Sequence, residues 1–372
     1  MVEWKELGSI SEIGTGSNNR EDSSENGLYP FFVRSKDILK IDHYLFDEEA
    51  ILIPGEGGIG DIFHYINGKY GLHQRTYRVH PNSSTVNGRY LYYYLFENFK
   101  TYINKKSFKA TATSIRKPML TDFPVAIPPL NEQNRIVDIL DIFTSSINNL
   151  DKQIEQRQKQ YEYYRNKLLS FEEGEEGVEW KKSSEICEVS DYVANGSFAD
   201  LRNNVTYKSE IDYALLVRTT DLAQDFKTDK IYIDKHAYAF LEKSRLFGGE
   251  IIINNIGAGV GKTFLCPERK ERMCLGPNSI MVSTPNNRFY YYWFCSKFGQ
   301  EAMMKVVSPG AMPKFNKTGF KTILLPIIPT EKMSKIVRTL DTFEFLLTNL
   351  KKERELRQKQ YEYYREKLLT FA

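Results

Sequence analysis

The sequence lacks most of what would mark a secreted scaffold, a metalloenzyme or a membrane protein. Cysteine is scarce: Cys187, Cys266, Cys274 and Cys295 are the four, none in a CxxC pair. That spacing gives neither a zinc site nor a disulfide framework, so reduced thiols in a cytoplasmic protein are expected. The five histidines, His43, His64, His73, His80 and His236, fall at no metal-ligand spacing. No stretch approaches the roughly 18 consecutive apolar residues of a membrane span. MVEWKELGSISEIG has no basic start and no apolar run of the signal-peptide kind, so no membrane association is expected. An excess of one charge is missing too. The 51 Lys and Arg stand against 48 Asp and Glu, a net of +3, so any nucleic-acid footprint has to be local. Neither an Asn-Pro-Pro-aromatic nor an Asp-Pro-Pro-aromatic tetrapeptide of an amino-methyltransferase occurs. Helicase and nuclease signatures are absent as well, which points to a binding module without catalysis.

Two glycine-rich stretches imitate phosphate-binding motifs. Gly55, Gly57 and Gly60 satisfy G-x-G-x-x-G, but DIFHYINGKYGLHQRTYRV follows. That segment alternates like strands, whereas a dinucleotide site needs a helix there. Gly257–Thr263 resembles a phosphate loop whose first glycine would fall at Ile256, and no helix pattern follows. Both stretches read as tight turns between strands.

What is present is a chain written twice. QKQYEYYRNKLLSF at 158–171 returns as QKQYEYYREKLLTF at 358–371, an offset of 200 with two differences. The offset holds for IVDILDIF at 136–143 and IVRTLDTF at 336–343. Glu3-Trp4-Lys5 recurs as Glu179-Trp180-Lys181, an offset of only 176, so the second copy carries insertions. Near-identity sits at the end of each half and divergence at the front. Identical tails imply one shared task, and divergent fronts imply related but different tasks. At 372 residues two or more domains are expected.

The tails are predicted to be long helices. Ile136, Leu140, Phe143, Ile147, Leu150, Ile154, Arg157, Tyr161, Tyr164 and Leu168 step alternately by four and three, the spacing of a heptad seam. The second copy gives Ile336, Leu340, Phe343, Leu347, Leu350, Arg354, Arg357, Tyr361, Tyr364 and Leu368. Pro129 and Pro329 stand where a helix start is expected. Forty residues would span about 60 Å. One helix with a single apolar seam is unstable alone, and its twin is the simplest partner. An antiparallel coiled coil would set Phe143, Ile147, Leu150, Ile154 and Tyr161 against Phe343, Leu347, Leu350, Arg354 and Tyr361. The predicted class is α+β: two globular α/β domains separated by two long antiparallel coiled-coil helices, with pseudo-two-fold symmetry. The expected divisions are 1–130, 131–172, 173–330 and 331–372, with the acidic EEGEEG at 172–177 as an exposed linker.

The positive signal lies just upstream of each long helix. KTYINKKSFKATATSIRK at 100–117 holds six basic residues and no acid, interleaved with aromatics and hydroxyls that suit phosphates, sugars and bases. The second copy has Lys305, Lys314, Lys317 and Lys321 in KVVSPGAMPKFNKTGFK.

In order and duplication these motifs resemble the specificity subunits of type I restriction-modification enzymes. IRKPMLTDFPVAIPPLNEQNRIVDILD is similar to the family's run of lysine, short spacer, Ile-Pro, Pro-Leu-x-Glu-Gln and apolar helix, through Lys117, Ile127, Pro128, Pro129, Leu130, Glu132 and Gln133. YPFFVRSKDI and YALLVRTTDL resemble its early strand, with Arg34 and Arg218 in polar DNA-facing places, and GPNSI at 276–280 resembles its asparagine-containing strand start. Lys332-Met333 departs from the Glu-Gln pattern, so what that pair contacts is expected to differ between the copies. The resemblance implies two target-recognition domains, each reading one half of a split, asymmetric site in double-stranded DNA. It implies helices that set the spacing and dock two methyltransferase subunits, which restriction subunits then join. S-adenosylmethionine, ATP and Mg would belong to those partners, and this chain would hold no cofactor and no metal. The candidate DNA contacts in the first half are Arg34, Lys36, Gln74, Arg75, Lys105, Lys106, Lys109, Thr111, Thr113, Arg116 and Lys117. In the second they are Arg218, Thr219, Lys262, Asn278, Lys305, Lys314, Asn316 and Lys317.

Overall fold

Each half opens with a strand that returns to pair with the strand just before its long helix. In the first, Glu3–Glu6 (β1) runs antiparallel to Pro124–Ile127 (β2), with Glu3 opposite Ile127. In the second, Glu179–Lys182 (β3) meets Leu324–Ile327 (β4), with Glu179 opposite Ile327. The repeat of Glu-Trp-Lys is thus a repeated clasp that closes each front on itself. The computed structural model describes residues 1–82, 84–106, 114–308 and 310–371, and the backbone alone of Lys106. By internal contacts the chain divides into two units, one of residues 1–152 with 350–372 and one of residues 153–349.

The first unit carries a six-stranded sheet in the order Ser11–Thr15, Thr76–Pro81, Phe46–Pro54, His64–Leu72, Tyr29–Phe32 and Ile38–Ile41. Alternation sets what its central strand, Phe46–Pro54, buries on each face. Ile51 and Ile53 point into a cluster with Tyr90, Tyr94 and Phe99 of the aromatic helix Gly88–Lys106. Ala50 and Leu52 point to the other face, among Phe32, Tyr70 and Leu72. Fully burying an aliphatic side chain of this size contributes about 1.5–3 kcal/mol, so this strand is the spine of the unit. The second unit repeats the device at an offset of 200. In Ile251–Asn254, Ile251 and Ile253 face the aromatic helix Asn287–Cys295, while Ile252 joins Leu215 and Val217 on the opposite side. Here the strands form two four-stranded sheets, and short helices Phe198–Asn204 and Lys235–Phe240 fill the inserted length.

Both glycine-rich stretches are turns between antiparallel strands. Phe46–Pro54 pairs with His64–Leu72 across the first, and Ile251–Asn254 with Thr263–Leu265 across the second. Gly60 has φ 72° and Gly261 φ 82°, the left-handed backbone that glycine adopts freely. A Cβ at Gly60 would lie 3.1 Å from the Lys100 Cα, so the turn also needs glycine for its seat on the aromatic helix.

The tails form single long helices, Leu130–Leu168 and Thr330–Leu369, each starting directly after its proline. In the first unit they pack antiparallel. Phe143 stacks on Tyr364 with centroids 5.4 Å apart, and Asp151 binds Arg354 at 3.0 Å. Ile147 and Tyr361 share the buried core there. In the second unit Tyr164 stacks on Phe343 at 5.5 Å, and the Tyr161 hydroxyl donates to Glu344 at 3.1 Å. Leu347 is buried there. Leu150 is buried, while Ile154 and Leu350 are half-buried. Arg354, the charge inside the seam, is thus matched by a carboxylate, and such a pair fixes register more than it adds stability. The segment 172–177 is turn-rich and largely exposed.

Candidate nucleic-acid interface

Each aromatic helix is anchored to its long helix by the same ion pair. The Arg89 Nε donates to Asp141 at 3.0 Å and the Arg288 Nε to Asp341 at 2.7 Å. Tyr93 and Tyr292 add their hydroxyls to the same carboxylates. A fixed helix end makes a fixed frame for the loops beyond it. In the first unit the Ile115 amide donates to the Gly55 carbonyl at 2.7 Å, and the Gly55 amide donates to the Arg75 carbonyl at 2.9 Å. In the second unit the Phe315 amide donates to the Asn255 carbonyl at 3.0 Å. The same backbone bond, 200 residues apart, therefore brings the segment before each long helix to the glycine-rich turn.

In the first unit this edge gathers several candidates. The Glu56 carboxylate in the turn accepts from Arg34 Nη1 at 2.9 Å and from Arg75 Nη1 at 3.1 Å. Those two hydrogen bonds, Arg75 first, hold the Glu56 carboxyl below the usual carboxylate range. The Gln74 amide donates to Asn19 Oδ1 at 2.6 Å. A cavity of about 250 Å³ among Arg20, Arg34, Glu56 and His73 lies at the centre. Burial, then the charges of Arg34 and Arg75, push His73 below its ordinary value, which favours the neutral ring. Its Nδ1 accepts from the Arg75 amide at 3.0 Å. Arg116 and Lys117 follow Ile115 directly and are exposed, as are Lys36 and Lys105. Lys109, Thr111 and Thr113 lie outside the described residues, as does the side chain of Lys106.

In the second unit a cleft of about 870 Å³ opens between the segments 191–207, 255–256, 277–279 and 314–316, with Ser308. Asn278, Lys314 and Asn316 line it, together with Arg202, Phe198 and Tyr207. Asn278 has φ 67°, a conformation uncommon outside glycine that asparagine tolerates best. Phe198 is 75% exposed. Lys317 is drawn to Asp191 at 2.9 Å, and Asn316 accepts from the Gly319 amide as a helix cap. Arg218 stands apart from this cleft's lining. Its guanidinium is held by the fully buried Asp221 at 2.6 Å and by the Asp229 carbonyl, with Thr219 opening the same short helix. Lys262 and Lys305 are exposed on the turn and at a helix end.

Sequence reasoning did not single out Glu56, Asn19, Phe198, Arg202 or Tyr207. Glu56 is the one acid between Gly55 and Gly60, which is a readable signal. Asn19 meets Gln74, and Phe198, Arg202 and Tyr207 meet Lys314 and Asn278 around the second cleft, only through tertiary contacts.

Among the described residues no group of three or more His, Cys, Asp or Glu is placed to hold a metal, and no helix is long and apolar enough to cross a membrane.

Comparison with known proteins agrees in both halves. The family model described as type I restriction modification DNA specificity domain matches twice, over residues 1–158 and 175–358. The EcoDI specificity subunit of a type I restriction enzyme from Escherichia coli is 24% identical over 91% of this chain and 81% of its own length. A Haemophilus influenzae chain named as a type I restriction enzyme specificity subunit is 25% identical over 100% of this chain and 96% of its own. In fold, the S subunit of a type I restriction-modification system from M. genitalium covers 100% of this chain and 97% of its own, with a TM-score of 0.64 at 17% identity. A recognition-domain fold present twice, paired long helices and a twofold match to one domain model place this chain in the family of type I restriction-modification specificity subunits, which are non-catalytic.

Proposed function

We propose that the protein binds double-stranded DNA and reads a bipartite, asymmetric site, one half through residues 1–130 and the other through residues 173–330. The long-helix segments 131–172 and 331–372 set the spacing between the halves. The observation that carries this reading is the recurrence of one backbone frame with different side chains on it. The bonds from Ile115 to Gly55 and from Phe315 to Asn255 repeat, while an Arg-Glu-Arg cluster stands on one edge and an apolar cleft rimmed by Lys and Asn on the other. Equal frames with unequal chemistry suit two unequal half-sites.

The near-identical helix tails fit two copies of one partner. Two methyltransferase subunits would dock there, and restriction subunits would join the assembly, which acts in the cytoplasm. S-adenosylmethionine, ATP and Mg would be held by those partners and none of them by this chain. Co-expression with a methyltransferase subunit, followed by genome-wide mapping of methylated adenines, tests the reading. A single motif with two defined halves is expected. The complex should also retard duplex DNA with a steep salt dependence. Methylation without a defined sequence, or no DNA retention at low salt, overturns it.

A further inference from the structure

Three separate segments deliver Arg34, Glu56 and Arg75 to one exposed spot: the loop after Tyr29–Phe32, the glycine-rich turn and the turn before Thr76–Pro81. Their side chains keep 44%, 34% and 57% of their surface in solvent, where ion pairs add little to stability. Convergence on such a spot points outward, to a ligand.

The hydrogen-bond inventory says which ligand. Glu56 engages one terminal nitrogen, Nη1, of each arginine. The remaining guanidinium donors of both make no hydrogen bond to a protein acceptor among the described residues. Of roughly four lone-pair positions on a carboxylate, three are used, two on Oε2 and one on Oε1. The cluster therefore offers guanidinium forks beside one free carboxylate acceptor. In the major groove guanine shows the acceptors O6 and N7, which match a fork, and cytosine shows an amino donor, which matches a carboxylate.

We propose that Arg34, Glu56 and Arg75 are the specificity-determining element of the first reader and recognise a G·C pair, the arginines on guanine and Glu56 on the cytosine amino group. The proposal rests on the DNA-reading function given above. Glu56 has a double task. It holds the forks in one orientation, and it cancels one of the two positive charges. Without it the arginines would serve any phosphate backbone, because phosphate contacts carry no sequence information.

The test uses the full chain assembled with its methyltransferase subunit, with methylated adenines mapped for the parent, Glu56→Gln and Arg75→Ala. The parent motif should contain a G·C pair in one half. In both variants the preference for that pair should drop about tenfold or more, while the second half-site stays intact and reports that the complex has folded and assembled. Arg34→Lys keeps the charge and loses the fork. It should relax the same position without changing the salt slope of binding. A motif unchanged in all three variants, a parent half-site without a G·C pair, or equal loss in both halves overturns the inference and leaves DNA reading standing. A parent complex that methylates no defined sequence overturns the reading itself.

Discussion

Gln133 and Met333 hold the same place in the two copies and satisfy it in opposite ways. Gln133 is 1% exposed; its Oε1 accepts from the Asn87 amide at 2.8 Å and its Nε2 donates to the Pro128 carbonyl at 2.9 Å. Met333, buried in its own cluster, contributes packing alone. Gln133→Met should therefore strand a part-buried amide and a buried carbonyl and cost about 1–3 kcal/mol, read as a lowered thermal midpoint. The thiols give a second residue-level expectation. Burial pushes Cys187, Cys266, Cys274 and Cys295 each up to about 12. A thiolate-directed alkylating reagent at pH 8 should leave all four unlabelled in the native protein and label four after denaturation. Histidine supplies the pH dependence. Burial pushes His64 down, and burial with neighbouring arginines pushes His73 down. Each folded value thus lies below the unfolded value of about 6.5, so the unfolded chain takes up protons first. Stability should be flat between about pH 6.5 and 8 and decline as the pH falls below about 6.5. His73→Gln should reduce that slope.

At the scale of elements, the paired aromatic and long helices show how a repeat tolerates drift. Arg288 has two carboxylates, Asp341 and Glu344, both at 2.7 Å. Among the described residues Arg89 has Asp141 alone for a carboxylate, and Thr144 stands where the second copy has Glu344. Asp141→Ala should leave a half-buried guanidinium without an anion and cost about 1–2 kcal/mol. Asp341→Ala should cost less, with Glu344 as the remaining partner. Hydrogen exchange in the two aromatic helices separates the cases. The same elements show what the sequence makes legible. The heptad spacing from Ile136 to Leu168, the prolines and the aromatic clusters each carry a periodicity that maps onto a helix, and all three correspond to helices here. Alternation around Gly55–Gly60 marked turns rather than phosphate loops. Glu56 as the bridge between Arg34 and Arg75 was not legible, nor was the company of Phe198 with Lys314. Those contacts link segments with no common period, and only the folded sheet order brings them together.

For the whole molecule, the modular reading predicts an exchange. Replacing residues 1–128 with the front of another family member should change one half of the methylated sequence and leave the other untouched. A change in both halves would show that the fronts do not act separately.

The division of the chain also allows folding to run against the order of synthesis. The unit of residues 153–349 is one continuous stretch, whereas the other needs 1–152 and 350–372 together. Tyr361 and Leu369 are part of the first unit's core, and Phe371 packs against it. On a ribosome, residues 1–152 emerge first yet lack part of their core until residues 350–371 have been made. The later-made unit is able to finish folding sooner. A nascent chain stalled once Asn349 has left the exit tunnel should yield protease-resistant material from 153–349 while 1–152 is still cut. Resistance of 1–152 at that stage would show that it closes its core without the last helix turns.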